Sequence, residues 1–426
     1  MTPLHMSPFT PEKTRLVLVL VGLPARGKTY IGRKMSRYLN WLGFSARVFN
    51  IGDYRRMKLG KHHRHDFFDP NNVEGNRLRN ELAAQALDDL LAWMKTGGQV
   101  GIYDATNTNT QRRRQVYDRC VSHGLDVVFV ESLCEDPALI EANIRETKLT
   151  SPDYEGVNPD EAARDFRARI EHYARAYEPI HEEDYSYIKL IDVGRIIVMH
   201  MIQGYLPGKL VHFLMNMHLV RRPIWLTRHG ESEFNVQGRI GGDSGLTVKG
   251  HAYAKALAGF VREHAIRPPI VWSSTLQRTM ETAKALHLPY LPWRAIDEID
   301  GGVCDGLTYA EIEQQMPQEF SARKTDKLNY RYPRGESYVD VTQRLEPVIL
   351  ELEREREPIL VIGHQAVLRV LYAYFMDKRP EEVLHLDVPI HTVIELTPGP
   401  YAFEERRFEL SLDGWHAPGV GDAMAE

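Results

Sequence analysis

The segment Gly22-Leu23-Pro24-Ala25-Arg26-Gly27-Lys28-Thr29 carries the spacing G-x-x-x-x-G-K-[ST]. Each fixed position answers a need of a bound polyphosphate. Glycines let backbone N–H groups wrap the phosphates, Lys28 reaches the β and γ oxygens, and Thr29 offers a hydroxyl to Mg²⁺. A helix beginning at Lys28 adds its positive dipole end. The apolar run before this loop and the helix after it distinguish the motif from a plain glycine turn. A second element, Val100-Gly101-Ile102-Tyr103-Asp104, is an apolar strand ending on a carboxylate. Asp104 there is a magnesium-orienting group, a candidate general base, or a cap for the turn that contains Thr106 and Asn107. Arg55 and Arg56, Arg79, Arg112 to Arg114, Lys148 and Arg169 recur near strand ends or helix starts. Ligands of a parallel sheet bind at the carboxyl ends of its strands, and the guanidinium fork suits a phosphate.

A different chemistry is written in Leu226-Thr227-Arg228-His229-Gly230-Glu231. An imidazole at a strand end can attack phosphorus while Arg228 neutralises the equatorial oxygens. A lone histidine would mean little. This one has companions in Ser273-Ser274 with Arg278, in Asp297-Glu298, and in Gly363-His364. Histidines, arginines and a carboxylate at neighbouring strand ends make a phosphoryl-transfer pocket.

The elements that must position these groups fall into two series. In the first, strands are expected at Arg15–Val21, Ser45–Asn50, Gln99–Tyr103, Asp126–Glu131 and Tyr187–Ile191. Helices are expected at Lys28–Leu42, Leu78–Lys95, Arg112–His123, Pro137–Thr147 and from Pro159 to His181. Such alternation, with strands too apolar to be one-sided, predicts a parallel sheet covered on both faces. An apolar run at Val211–Val220 reads as a further strand. The rhythm restarts with strands at Ile224–Thr227, Ile270–Trp272, Pro358–Ile362 and Val393–Leu396. Helices between them are expected at Val248–Glu263, Leu276–Leu286, Ser337–Glu355 and Ala366–Phe375. The fold class is therefore α/β in two domains, 1–220 and 221–426, with no Gly/Ser-rich linker between them.

Composition excludes several classes. At 426 residues the chain is too long for one typical domain. A net charge of −5 gives no basic field for nucleic acid. No apolar run approaches a membrane span. Leu16–Val21 lacks the small-residue cleavage site of a signal peptide. Cys120, Cys134 and Cys304 have no metal-ligand spacing, fit a reducing compartment, and read as small buried hydrophobes. The expected location is cytoplasmic.

With both motif sets in view, the chain resembles the 6-phosphofructo-2-kinase/fructose-2,6-bisphosphatase family from about Leu16 to about Leu396. The resemblance rests on GLPARGKTYI from Gly22, YRR from Tyr54, DATNT from Asp104, FVESLC from Phe129 and SPDY from Ser151. It continues in TRHGESEFN from Thr227, GRIGGDSGL from Gly238, NYRYPRGESY from Asn329 and GHQAV from Gly363. It implies a P-loop NTPase-like domain followed by a histidine phosphatase domain similar to phosphoglycerate mutases. Implied ATP-holding residues are Gly22 through Thr29 (Gly22, Leu23, Pro24, Ala25, Arg26, Gly27, Lys28, Thr29) with Asn143 and Lys148. Implied fructose 6-phosphate ligands are Arg55, Arg79, Thr106, Arg112, Lys148, Arg169 and Tyr173. Lys28, Asp104 and Cys134 fall at kinase-site positions, with Thr29 and Asp104 toward Mg²⁺. In the second half the resemblance makes His229 the nucleophile and Glu298 the proton donor, with Arg228, Asn235, Arg278 and His364 around the transferred phosphate. Gly241, Tyr309, Arg323, Lys327, Tyr338, Gln365 and Arg369 would take the sugar and its second phosphate.

The family implies ATP as a substrate with Mg²⁺ for the kinase, no cofactor for the phosphatase, small-molecule substrates and a homodimer. Departures lie in Asp305-Gly306-Leu307, where a more acidic stretch is expected, in the residues after Arg56, and in short segments before Leu16 and after Leu396. They bear on regulation rather than chemistry. Two competing readings are a phosphatase or mutase carrying a degenerate nucleotide-sensing P-loop half and a non-catalytic metabolite sensor or scaffold built on both folds. The intact Lys28, Thr29 and Asp104, and complete sets in both halves, argue against them.

Overall fold

A computed structural model describes residues 15–145, 151–192, 194–218, 220–265, 267–399 and 402–412. The chain divides into two compact units, Met1–Leu219 and Val220–Glu426.

The first unit is built on strands β1 (Leu16–Val21), β2 (Ala46–Asn50), β3 (Val100–Asp104), β4 (Asp126–Leu133), β5 (Ser186–Ile191) and β6 (Ile196–His200). Their order is β2-β3-β1-β4-β5-β6. All neighbours are parallel except β6, which runs antiparallel to β5. Every residue of β1, LVLVLV, is buried, as a central strand covered on both faces requires. Helices α1 (Lys28–Trp41), α2 (Ile51–Leu59), α3 (Val73–Lys95), α4 (Thr110–Val121), α5 (Pro137–Asn143), α6 (Pro159–Ala174) and α7 (Tyr205–Asn216) accompany them. Side chains of Asn50, Asn72, Asn109, Asp136 and Asn158 cap α2 through α6 and fix where each begins.

The run Val211–Val220 is not a strand. Leu206, Leu210, Val211, Phe213 and Leu214 are the buried residues of α7, a helical spacing that an apolar run alone does not reveal. Phe213 stacks on Tyr38 of α1 at 4.4 Å between ring centroids. The helix expected to reach His181 stops at Ala174, and α2 and β6 were not foreseen.

The second unit contains β7 (Ile224–Arg228), α8 (Glu233–Gln237), α9 (Val248–His264), β8 (Ile270–Ser273), α10 (Gln277–Lys284) and β9 (Tyr290–Pro292). It continues with α11 (Tyr309–Gln315), α12 (Pro317–Thr325), α13 (Tyr338–Arg354), β10 (Ile359–Gly363), α14 (Gln365–Phe375), β11 (Thr392–Pro398) and β12 (Phe403–Glu409). The order is β12-β11-β7-β10-β8-β9, parallel from β7 to β9 and antiparallel at β11 and β12. Parallel register brings the carboxyl ends of β7, β10 and β8 together. His229, His364 and Ser274 are the residues that immediately follow these strands.

Candidate active sites

In the first unit the loop from Gly22 to Thr29 turns tightly at the end of β1. Gly22 has φ +136°, and a Cβ there would lie 2.5 Å from the Ser132 carbonyl oxygen, so only glycine fits. Its N–H donates to Thr106 O at 3.0 Å, tying the loop to the segment after β3. The Asn143 amide donates to Ala25 O (3.2 Å) and the Ser132 hydroxyl to Arg26 O (2.5 Å). Lys28 is buried, with Nζ donating to Leu23 O at 2.6 Å.

The carboxylate of Asp104 is buried at the end of the neighbouring strand. One amide joins it to the loop: Asn50 Nδ2, at the end of β2, donates to the Asp104 carboxylate and lies 3.4 Å from Thr29 Oγ1. Asn50 is fixed by its own Oδ1, which accepts Asp53 N–H (3.0 Å) and caps α2. Sequence reasoning did not single out Asn50, because an asparagine before a helix reads as a cap and nothing more. A hydroxyl and a carboxylate reached by one amide are a hard oxygen pair of the kind a hydrated Mg²⁺ accepts. Beside the loop, Arg26, Gly27, Tyr30, Cys134, Leu190 and Met217 line a pocket. Burial pushes the Cys134 thiol up, so it forms a neutral wall.

A second cluster gathers around Phe68 and Asp153. Arg55 is buried and donates to Asp153 Oδ2 at 2.5 Å, with Arg56 at 3.4 Å and Arg169 at 3.9 Å from the same oxygen. The Arg169 guanidinium carbon sits 3.6 Å from the Phe68 ring centroid, and Arg79 faces Tyr173 at 5.7 Å. Burial by itself would raise the Asp153 carboxyl. Arg55 and Arg169 outweigh burial and hold it below the usual carboxylate range. Arg55 Nε and Nη1 and Arg169 Nε are buried without a hydrogen-bond partner, so donors remain for an anion. Arg112 bonds Asn80 Oδ1 at 2.9 Å and approaches Tyr103 OH at 3.4 Å.

Arg113 is wholly buried against Glu182 at 2.7 Å and the Glu178 carbonyl, a bracing role; Arg114 is exposed beside Asp118. Lys148 lies outside the described residues. Asp153 and Phe68 were missed. The SPDY segment containing Asp153 stood out by resemblance, but its type gave no hint that it gathers arginines.

In the second unit His229 is 3% exposed, and its two nitrogens are distinguished by their neighbours. Nδ1 lies 2.7 Å from Gly230 O, which can only accept, so Nδ1 carries the proton. Nε2 lies 3.1 Å from Arg278 Nε–H, which can only donate, so Nε2 holds a lone pair. Burial first, and Arg278 second, keep the imidazole neutral by pushing its pKa well below 6.5. His364, fully buried, lies 5.1 Å from His229 between ring centroids and bonds the Ser274 hydroxyl at 2.7 Å. Its pKa is likewise well lowered by burial and then by Arg278 and His229. Arg278 Nη1 also donates to Gly242 O at 2.8 Å. Glu298 Oε1 accepts from Ala366 N–H at 3.2 Å, at the start of α14.

Asn235, Gly241, Tyr309, Arg323, Lys327, Tyr338, Gln365 and Arg369 line one pocket with Arg228, His229, Arg278 and Glu298. Arg323 is held by the hydroxyls of Tyr332 (2.6 Å) and Tyr309 (2.8 Å). Burial, and then Arg323 and Arg369, lower the Lys327 pKa, as neighbouring cations do. Gly241 has φ +60°, and a Cβ there would meet Asp305 Oδ1 at 1.7 Å. Asp305 thus braces the loop, accepting Gly301 N–H at 3.0 Å.

Residues 6–221 match the 6-phosphofructo-2-kinase family model, and residues 224–410 match the histidine phosphatase superfamily (branch 1) model. The chain is 51% identical to a 6-phosphofructo-2-kinase/fructose-2,6-bisphosphatase of Arabidopsis thaliana, over 94% of this chain and 54% of that protein. It is 49% identical to a protein of the same name from Gallus gallus, over 93% and 85% of the two chains. Against 6-phosphofructo-2-kinase/fructose-2,6-bisphosphatase 3 of Homo sapiens the identity is 48%, over 93% and 77%. The chain thus spans about half the length of the plant relative and most of the two animal ones.

Proposed function

The chain belongs to the 6-phosphofructo-2-kinase/fructose-2,6-bisphosphatase family, and we propose that its two sites make and remove the same phosphate ester by unrelated chemistries. In the first, ATP phosphates lie in the loop from Gly22 to Thr29, against Lys28 and the dipole of α1. The nucleoside faces the pocket walled by Cys134 and Leu190. Fructose 6-phosphate places its phosphate among Arg55, Arg79 and Arg169, with Thr106, Arg112 and Tyr173 around the sugar. Its 2-hydroxyl oxygen bonds to the γ-phosphorus as the bond to ADP breaks, and the hydroxyl proton is released to water. Catalysis is positioning and charge neutralisation. Thr29 and Asp104 would hold a Mg²⁺ ion, which neutralises charge on the β and γ oxygens when bound.

In the second site His229 Nε2 attacks the 2-phosphate and the bond from phosphorus to the sugar oxygen breaks. Glu298 gives that oxygen a proton. Nδ1–H keeps donating its hydrogen bond to Gly230 O, which stabilises the positive charge of the phosphohistidine. Glu298 then takes a proton from water as the water oxygen attacks phosphorus and the P–N bond breaks. The fixed tautomer of His229, with a lone pair aimed at Arg278, is the observation that carries this reading.

Three free, buried cysteines support residence in the reducing cytosol. A homodimer is proposed across the open edge of β6, where Ile196, Val198 and Met199 are exposed apolar residues on an edge strand.

The purified chain, given ATP and fructose 6-phosphate, should form fructose 2,6-bisphosphate and then consume it. Lys28→Ala should abolish formation and spare hydrolysis, and His229→Ala should do the reverse. Loss of both activities in either variant, with the fold intact by circular dichroism, would refute the two-site reading.

A further inference from the structure

The proton donor sits on a loop, and a loop side chain acts as an acid only if its backbone is held. Glu298 lies in the stretch from Ala295 to Asp300, outside any helix or strand longer than a 3-10 turn. Its anchors come from residues that the proposed mechanism does not use. Arg344, on α13, donates from Nη1 to Ala295 O at 2.7 Å and to Asp297 O at 3.1 Å. Its Nε and Nη2 grip both oxygens of Glu336 at 2.8 and 2.9 Å. Glu336 Oε2 in turn accepts Asp300 N–H at 3.1 Å, and Glu336 N–H donates to Asp300 O at 2.9 Å. Main-chain groups on both sides of Glu298 therefore end on a single bidentate ion pair. The Asp297 side chain adds a third anchor, accepting Thr275 N–H at 2.7 Å at the end of β8.

From this geometry we infer that the Arg344–Glu336 pair positions Glu298 for proton transfer in the phosphatase site. Both are positioning residues; neither lines the pocket. The fork is needed for this task. One guanidinium spans two carbonyls and a carboxylate at once, and a lysine ammonium on its single stem cannot reproduce that fan. The pair is about a fifth exposed on each side, dry enough for its hydrogen bonds to hold the loop but not isolated from water.

The inference rests on Glu298 being the proton donor, and a double-variant cycle on the full chain separates the two claims. The quantity read is the single-turnover rate of phosphohistidine formation from fructose 2,6-bisphosphate labelled at the 2-phosphate, quenched in alkali. Arg344→Gln should slow this step by about tenfold or more, since misplacing a catalytic group by a fraction of an ångström has that scale of cost. Combined with Glu298→Gln it should add no more than about twofold to the effect of Glu298→Gln alone, because the two act through one carboxyl group. A purely structural contribution would multiply instead. Should Arg344→Gln fail to fold, Arg344→Lys keeps the charge, loses the fork, and enters the same cycle. Multiplying effects, or a wild-type rate in the Arg344 variant, overturn the inference. A wild-type rate in Glu298→Gln overturns the assignment of the proton donor itself.

Discussion

A neutral histidine buried among arginines should leave a mark on stability as well as on rate. His229 and His364 are both wholly enclosed, and both resist protonation because of burial first and Arg278 second. In the unfolded chain an imidazole titrates near 6.5. Below that pH the unfolded state binds a proton that the folded state refuses, so falling pH favours unfolding. For one such group the loss between pH 7.5 and pH 5.5 is RT ln[(1 + 10)/(1 + 0.1)], or about 1.4 kcal/mol, and about 2.7 kcal/mol for the two. His364→Gln removes one titration without adding a charge. Relative to the wild type, the variant should therefore gain about 1.4 kcal/mol between those pH values, whatever its stability at pH 7.5. The assay is hydrogen exchange of the β10 amides, Ile359 to Gly363, corrected for intrinsic rates at each pH, since these report opening of this unit rather than of the whole chain. His229→Gln should behave in the same way. Curves for wild type and variants that fall in parallel would mean the imidazoles protonate within the fold. The neutral nucleophile would then be wrong.

Two other outcomes can be checked with simpler means. Arg169→Ala should raise the KM for fructose 6-phosphate by about tenfold to a hundredfold and leave that for ATP nearly unchanged, because a charge-assisted bond to the sugar phosphate is worth about 1.5–3 kcal/mol; equal rises in steady-state assays would contradict its placement. Val198→Lys on the exposed edge of β6 should give a monomer by analytical ultracentrifugation with the phosphatase rate intact, whereas an unchanged sedimentation coefficient would remove that edge from the homodimer.

How far the sequence could be read depends on how many bland roles each residue type has. The loop from Gly22 to Thr29 was legible because few structures other than a phosphate cradle need that glycine spacing before Lys28. The all-apolar β1 announced a buried parallel strand for the same reason. Val211 to Val220 misled because a short apolar run fits a buried strand and a buried helix equally, and only the packing of Leu210, Phe213 and Leu214 decides. His229, Arg278 and His364 are far apart in the chain yet each follows a strand or lies in the first turn of a helix, so strand order brings them near, whereas Glu298 lies on a loop whose place is set by other contacts. Asn50, Asp153 and the Arg344–Glu336 pair escaped notice. Each has a type that commonly caps a helix or pairs on a surface, and nothing in its neighbours along the chain says otherwise. Their tasks are set by partners that only the fold supplies.

The two sites also differ in how they hold their arginines, and the difference bears on which ligand each prefers. Around Phe68 the cations share a counter-ion, Asp153, so the proposed acceptor site is partly neutralised and suits a single phosphate. In the histidine pocket Arg228 Nε is buried without a hydrogen-bond partner, and burial, then Arg323 and Arg369, lower the Lys327 pKa, with Glu298 in the same lining. That pocket is paid for by a ligand with charge at both ends. A sugar bisphosphate brings about three to four negative charges and a monophosphate about half as many. If His229 takes the 2-phosphate as proposed, fructose 6-phosphate would be left with only the outer cations and would hold less of the attraction that drew the substrate in. Under the proposed assignment, selectivity for the bisphosphate and release of the monophosphate would follow from this cation-rich lining, while Asp153 offsets part of the charge in the proposed fructose 6-phosphate site.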